Sequence, residues 1–357
     1  MFLDIYTTNA CNLKCNYCYL EKKDAKATGK TLMKKTLSYF FSSQYKDKRI
    51  YCTFIGGEPL LEFKLIKYAV DLSKKLSKKN KKKIFFNLVT NGTLLNDERI
   101  DFLRKNNFYI VLSIDGDKET QDKQRVFQNG DSCFRLVQNN LIKLNRCIPN
   151  LTARMTVTPA SAKNLMRNIE FLISNNIDRM GFVPTYEDDW RKDDLKKFKN
   201  ELRKIIKLWS QIMTERPNFY IMPLLNYFQT WQNRTFIFHP YMHSCQLNYR
   251  KRYSISVEGN IYPCHRFTSL RESKFKLGNI FKDGVEKQAE KNFNNKIQKT
   301  KKNIVDYGCS ALNYENNKSI QKPLRNYQKF KIIFSEVIND IYKNKKYEEL
   351  LNHLNSF

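Results

Sequence analysis

In the first half of the chain, short apolar runs alternate with longer stretches in which apolar residues recur every three or four positions. Residues 3–8, 50–55, 84–89, 109–114, 152–158 and 179–184 read as strands, and residues 32–44, 63–76, 97–105 and 134–144 as helices. Strands alternating with helices build a parallel sheet, and six βα units give an α/β fold of the partial (β/α)6, TIM-like barrel kind. The residues between Gly116 and Phe134 read as a polar loop. Beyond Pro184 the pattern changes. Residues 186–190 are acidic, residues 191–213 form a long amphipathic helix, and the aromatics Tyr220, Tyr227, Phe228 and Trp231 read as core or lid packing. Residues 252–257 alternate as a strand, Glu258-Gly259-Asn260 turns, and residues 261–264 return as a hairpin. Over residues 324–354, Ile332, Ile333, Val337, Ile338 and Ile341 at helical spacing predict a packing element. These changes divide the chain into a barrel over 1–215, a second unit over 216–320 and a helical segment over 321–357.

Length and composition add limits. With 357 residues, 41% hydrophobic and 13% aromatic, the chain is globular and large enough for a barrel with an extension. No apolar run reaches the roughly 18 residues of a membrane span, and the start lacks a secretion-signal pattern, so a cytoplasmic location without a membrane partner is expected. The net charge of +29 would steer polyanions. Lysine is nevertheless spread with Asn and Ile along the whole chain, and no nucleic-acid module stands out, so a compositional drift explains the charge and nucleic acid is not an expected partner.

The chemistry concentrates behind the first strand, where Cys11, Cys15 and Cys18 stand in a C-x-x-x-C-x-x-C spacing. Four thiolates fill a structural zinc site or saturate an iron–sulfur cluster, whereas three leave one position of a cubane open to a small molecule. Zinc with a distant fourth ligand and plain buried thiols are the competing readings. Further special residues fall at the carboxyl ends of the predicted strands, where barrels collect their chemistry. These are Gly56-Gly57-Glu58-Pro59, Thr90-Asn91-Gly92-Thr93 and Ser113-Ile114-Asp115-Gly116. Arg154 interrupts an apolar strand, where a charge needs a partner: a ligand carboxylate or a structural salt bridge. Cys52, Cys133 and Cys147 read as structural thiols.

The cysteine spacing with Tyr17 before its last member, followed by the GGEP element, resembles radical S-adenosylmethionine enzymes. The resemblance implies a [4Fe–4S] cluster on Cys11, Cys15 and Cys18 whose open iron chelates S-adenosyl-L-methionine, and reductive cleavage to a 5′-deoxyadenosyl radical. It further implies cofactor contacts from Tyr17, Gly56, Gly57, Glu58, Ser113, Asp115 and Arg154. Downstream, Gly259-x-x-x-x-Cys264-His265-Arg266-Phe267, Phe275 to Ile280, and Tyr307-Gly308-Cys309 resemble the SPASM or twitch extension of peptide-modifying members. Cys245, Cys264 and Cys309 are thus the expected ligands of one auxiliary [4Fe–4S] cluster, with His243, His265 or a substrate thiolate as the candidates for the fourth position. A complete extension has more cysteines and two such clusters. Anaerobic sulfatase maturases place an Asp after the cysteine that Cys264 matches. This chain has His265, which makes His265 the candidate general base and shifts the expected function toward a maturase that cross-links a ribosomally made peptide. Sulfatase maturation, a small-molecule dehydrogenase and a cluster- or zinc-containing RNA-binding protein are the alternatives. Only ten residues precede Cys11; capture of a leader peptide is therefore expected from a separate protein or from the basic surface. A flavodoxin or ferredoxin is the expected electron donor.

Overall fold

The computed structural model describes residues 1–20, 24–42, 44–216, 218–225, 227, 251–298, 309–343 and 347. Cys245, His243, Phe228, Trp231, Tyr307 and Gly308 lie outside the described residues. The strands are β1 (Phe2–Thr8), β2 (Leu13–Cys15), β3 (Arg49–Gly56), β4 (Lys83–Thr90), β5 (Tyr109–Ser113), β6 (Arg125–Phe127), β7 (Leu151–Val157), β8 (Arg179–Pro184), β9 (Tyr220–Met222), β10 (Arg252–Ile255), β11 (Asn260–Tyr262), β12 (Gly278–Asn279) and β13 (Gly284–Val285). The helices are α1 (Lys30–Phe41), α2 (Phe63–Asn80), α3 (Asp97–Lys105), α4 (Lys118–Gln124), α5 (Phe134–Cys147), α6 (Leu165–Ser174), α7 (Lys192–Glu215), α8 (His265–Leu270), α9 (Lys287–Gln298), α10 (Ser310–Asn317) and α11 (Arg325–Tyr342).

The six strands legible in the sequence are neighbours in the order β1-β3-β4-β5-β7-β8, all parallel, as βα crossovers require. All seven residues of β1 are buried. Among the described residues, further strands extend this sheet on both sides. β9 pairs in parallel beyond β8. On the other side, β10 pairs in parallel with β1, from Phe2 opposite Arg252 to Ile5 opposite Ile255. The anticipated hairpin is present: β10 and β11 are antiparallel about Gly259, whose φ of +83° suits glycine. β12 and β13 continue the same sheet.

The region between Gly116 and Phe134 departs from the polar-loop expectation. Asp117 caps α4, its side chain accepting from Thr120 N at 2.9 Å. After α4, β6 pairs antiparallel with β2. Elements of seven and three residues without an apolar stripe leave no periodic trace to read. Helix α1 stops three residues short of Gln44, where the Ser42 hydroxyl donates to the Tyr39 carbonyl at 2.6 Å. On α11, Ile332 is 57% exposed, while Ile333, Phe334, Val337, Ile338 and Ile341 are buried. This helix lies along α7, with Lys199–Glu336 at 2.5 Å and Arg203–Asp340 at 2.9 Å flanking aromatic contacts of Phe198 with Phe330 and Phe334. Among the described residues no helix is long and apolar enough to cross a membrane.

Candidate active site

The loop after β1 is held from two sides. Behind it, Gly57 N donates to Thr8 O at 3.0 Å and Glu58 N to Ala10 O at 2.8 Å. A Cβ on Gly56 would lie 2.1 Å from Thr8 O, and one on Gly57 would lie 2.0 Å from Ala10 O; both positions therefore require glycine for backbone-to-backbone contact. In front, β6 clasps β2, and the Gln128 amide donates to the carbonyls of Cys11 and Leu13 at 3.0 and 3.1 Å. Both devices fix the cysteine loop through its backbone.

The sulfurs themselves meet hydrogen-bond donors. Cys11 Sγ accepts from Leu13 N at 3.4 Å and from Asn91 Nδ2 at 3.8 Å, and Cys15 Sγ accepts from Arg125 Nη1 at 3.9 Å. Asn91 also donates to Asn12, which donates on to Thr93, so the β4 tip that reads as an ordinary turn braces the cysteine loop. Burial pushes the Cys15 thiol up to about 11, with the Arg125 charge opposing it. A metal that binds the thiolate overrides that cost. Donors aimed at sulfur suit thiolates that ligate a cluster, where such bonds tune the potential. Among the described residues no three His, Cys, Asp or Glu side chains are placed to hold one metal ion. A cubane, in which each thiolate takes its own iron, does not need that convergence. Beside Cys11 a cavity of about 460 Å³ opens, lined by Ala10, Lys14, Ala25 and Gln128.

The other expected residues fall around this loop. Glu58 is fully buried. Its oxygens accept from Leu60 N at 3.0 Å, Thr90 Oγ1 at 2.8 Å and Asn91 N at 2.8 Å. A carboxylate offers about four acceptor sites, so one is left for a ligand ammonium. Burial raises its carboxyl to about 7 against these donors. Ser113 and Arg154 stand side by side in the β5–β7 register, both half-buried. Burial lowers the Arg154 pKa; Tyr19, Tyr17, Arg125 and Arg266 are the charged or titratable groups around it. Asp115, expected as a cofactor contact, sits within a network of protein donors. Both its oxygens are filled by Arg125 Nε at 2.8 Å and Nη2 at 3.1 Å, Gln124 at 2.9 Å and Thr156 N at 2.8 Å, together with the Tyr17 hydroxyl. Tyr17 thereby also has its hydroxyl engaged, while the Arg125 guanidinium lies 5.1 Å from its ring centre.

On the C-terminal side, Cys264 is buried at the start of α8 and Cys309 is half-buried at the start of α10. Arg266 ties the region together, with Glu187 at 3.1 Å, Glu315 at 3.9 Å and the Tyr19 ring at 4.6 Å. The His265 carbonyl accepts from Tyr6 OH at 2.9 Å. Its Nδ1 is buried 3.6 Å from Asp4 Oδ2, just beyond hydrogen-bond length. Burial lowers the His265 pKa, with Asp4 opposing. Asp4, fully buried in β1, forms a two-toothed pair with Arg252 of β10 at 2.8 and 3.1 Å. Burial drives its carboxyl up, but Arg252 and His265 outweigh this and hold it well below the usual range.

The sequence profile of the radical SAM superfamily matches residues 5–198, more than half of the chain. The chain belongs to that superfamily. This radical SAM enzyme is 26% identical over 322 residues to a cysteine-type anaerobic sulfatase-maturating enzyme of Clostridium novyi, covering 85% of this chain and 80% of that one. A serine-type counterpart from Bacteroides thetaiotaomicron is 37% identical over 184 residues, 50% of this chain and 44% of that one. In fold, the radical SAM enzyme resembles native anSMEcpe with bound AdoMet and Cp18Cys peptide, at a TM-score of 0.79 and 20% identity over 98% of this chain and 99% of that one. It also resembles Streptococcus suis SuiB bound to its precursor peptide SuiA, at 0.60 and 17% over 91% and 75%. As a superfamily member it uses a [4Fe–4S] cluster and S-adenosylmethionine, which together supply a carbon radical able to abstract hydrogen. Cys11, Cys15 and Cys18, with sulfur-directed donors around the first two, fit that cluster.

Sequence reasoning did not reach Arg125, Asp4 or Tyr6 as parts of this site. Arg125 lies in a segment read as loop, and Asp4 is one acid in an apolar run; neither sits in a motif.

Proposed function

We propose that this radical SAM enzyme is a peptide maturase that abstracts hydrogen from a ribosomally made peptide and closes a cross-link, a thioether or a carbon–carbon bond. In the thioether case the substrate radical and a substrate thiolate form the C–S bond and one electron leaves to an acceptor. That acceptor is an auxiliary cluster on Cys245, Cys264 and Cys309. Glu58 receives the cofactor ammonium, Gly56 and Gly57 let the loop close on it, and Ser113 and Arg154 line its other side. The peptide and an electron donor of the flavodoxin or ferredoxin kind are the partners. The observation that carries the cross-linking reading is at His265. An imidazole stands there, with its Nδ1 turned onto the buried Asp4–Arg252 pair, where sulfatase maturases carry a carboxylate base. Only its Nε2 remains for chemistry.

Similarity across 80% of the Clostridium novyi enzyme supports a second reading, oxidation of a peptide cysteine to an aldehyde. One experiment separates the two. The reduced enzyme with S-adenosylmethionine is offered Cys-bearing precursor peptides and a sulfatase-type Cys peptide. A product lighter by a pair of hydrogens and inert to hydrazide probes supports cross-linking, with cysteine alkylation lost for a thioether and kept for a carbon–carbon bond; a hydrazide-reactive product overturns it.

Glu58 adds a pH dependence. Its carboxyl is raised to about 7 in the fold, so ammonium binding below that pH must release a proton. Cofactor affinity is expected to rise about tenfold per pH unit up to about 7 and then level off. Without ligand the sign is opposite: a raised carboxyl stabilises the fold at low pH and ceases to do so as pH passes through about 7. Calorimetric titration of S-adenosylmethionine from pH 5.5 to 8 checks this, and Glu58→Gln is expected to bind weakly with a flat profile.

A further inference from the structure

We propose that Arg125 is a positioning residue for the reducing cluster: its guanidinium, locked between Asp115 and Tyr17, donates to the Cys15 thiolate and sets how readily the cluster held there accepts an electron. Three observations converge on it. The antiparallel register of β2 and β6 puts Arg125 directly opposite Cys15, so backbone pairing delivers this side chain to that sulfur. Its Nη1 reaches Cys15 Sγ at 3.9 Å. Its Nε and Nη2 are both taken by Asp115, at 2.8 and 3.1 Å, and its guanidinium carbon lies over the Tyr17 ring, 5.1 Å from the ring centre.

The arrangement leaves the side chain no freedom. Asp115 is itself fixed by Thr156 N, Gln124 and the Tyr17 hydroxyl, so the fork cannot rotate away from the sulfur without breaking a buried pair. Hydrogen bonds to cluster sulfurs withdraw electron density and favour the reduced state, and a cation in a buried setting adds to that effect. Asp115 balances the charge, so what Arg125 contributes at the cluster is mainly directional. Lysine, a point charge without a fork, would serve the carboxylate and the sulfur together less well.

The test is an electron-paramagnetic-resonance redox titration with dithionite on the reconstituted full chain, following the cluster signal that responds to added S-adenosylmethionine, with iron content measured alongside. Arg125→Gln is expected to shift the one-electron equilibrium toward the oxidised state at least about tenfold, about 59 mV more negative. Arg125→Lys is expected partway. A purely structural role predicts lost iron with an unchanged midpoint in the clusters that remain. If R125Q unfolds because Asp115 is left unpaired, R125Q/D115N removes both charges and carries the same expectation. An unchanged midpoint in R125K, or in either other variant that retains its iron, overturns the proposal.

Discussion

Replacing Cys11, Cys15 and Cys18 together by alanine is expected to abolish 5′-deoxyadenosine formation while leaving part of the iron in place. These three half-buried thiols, two of them met by N–H donors on their sulfurs, are the ones proposed to hold the cluster that cleaves S-adenosylmethionine. With one auxiliary cluster on Cys245, Cys264 and Cys309, anaerobic reconstitution should give about eight irons in the wild type and about four in the triple variant. Iron and sulfide analysis with a chromatographic assay of 5′-deoxyadenosine reads both effects. Loss of all iron in the triple variant would remove the auxiliary cluster, and with it the electron acceptor of the thioether route.

The largest effect on stability is expected at Asp4 and Arg252. The carboxylate is fully buried and the guanidinium mostly so, and they meet through two hydrogen bonds across the β1–β10 pairing. Removing one partner of such a pair leaves the other charge buried and alone, at a cost of about 3–5 kcal/mol. Arg252→Ala should therefore lower stability by that amount in denaturant titrations, and Asp4→Asn/Arg252→Gln, which removes both charges, by clearly less. The pH dependence follows from the lowered carboxyl of Asp4. Its contribution is complete above the ordinary carboxylate range and is lost only as pH falls through the lower, folded value. In R252A that loss moves to milder acid. Equal stability of R252A and wild type would show that the pair contributes nothing.

Much of this was legible in the sequence, and the reason is periodicity. The six parallel strands, the hairpin and helices α1, α2, α3, α5, α7 and α11 announced themselves through apolar spacing, and the cysteine and GGEP elements through residue type, whereas α4, without an apolar stripe, did not. What stayed hidden was pairing between short or distant segments. β2 and β6 have three residues each, and nothing in Leu13–Cys15 says that Arg125–Phe127 will lie beside it. The Arg252 strand was readable, but not its partner, because parallel register leaves no local mark. Asp115 shows another kind of hidden pairing. A residue type suited to ligand binding at a strand tip proved to have its acceptors filled by donors 10 and 41 residues away in sequence.

The pairing of β10 with β1 also bears on how such a chain can be cut or recombined. Shortened to its first 215 residues, the protein would present β1, buried along its whole length here, as an open and apolar edge. Edges of that kind recruit other strands and aggregate. Asp4 would at the same time be stranded without its cation. The C-terminal half is therefore not a detachable accessory. A chimera that grafts the end of a relative onto this barrel must import a strand able to dock on β1 and a cation at the position of Arg252, or the recipient will not stay in solution.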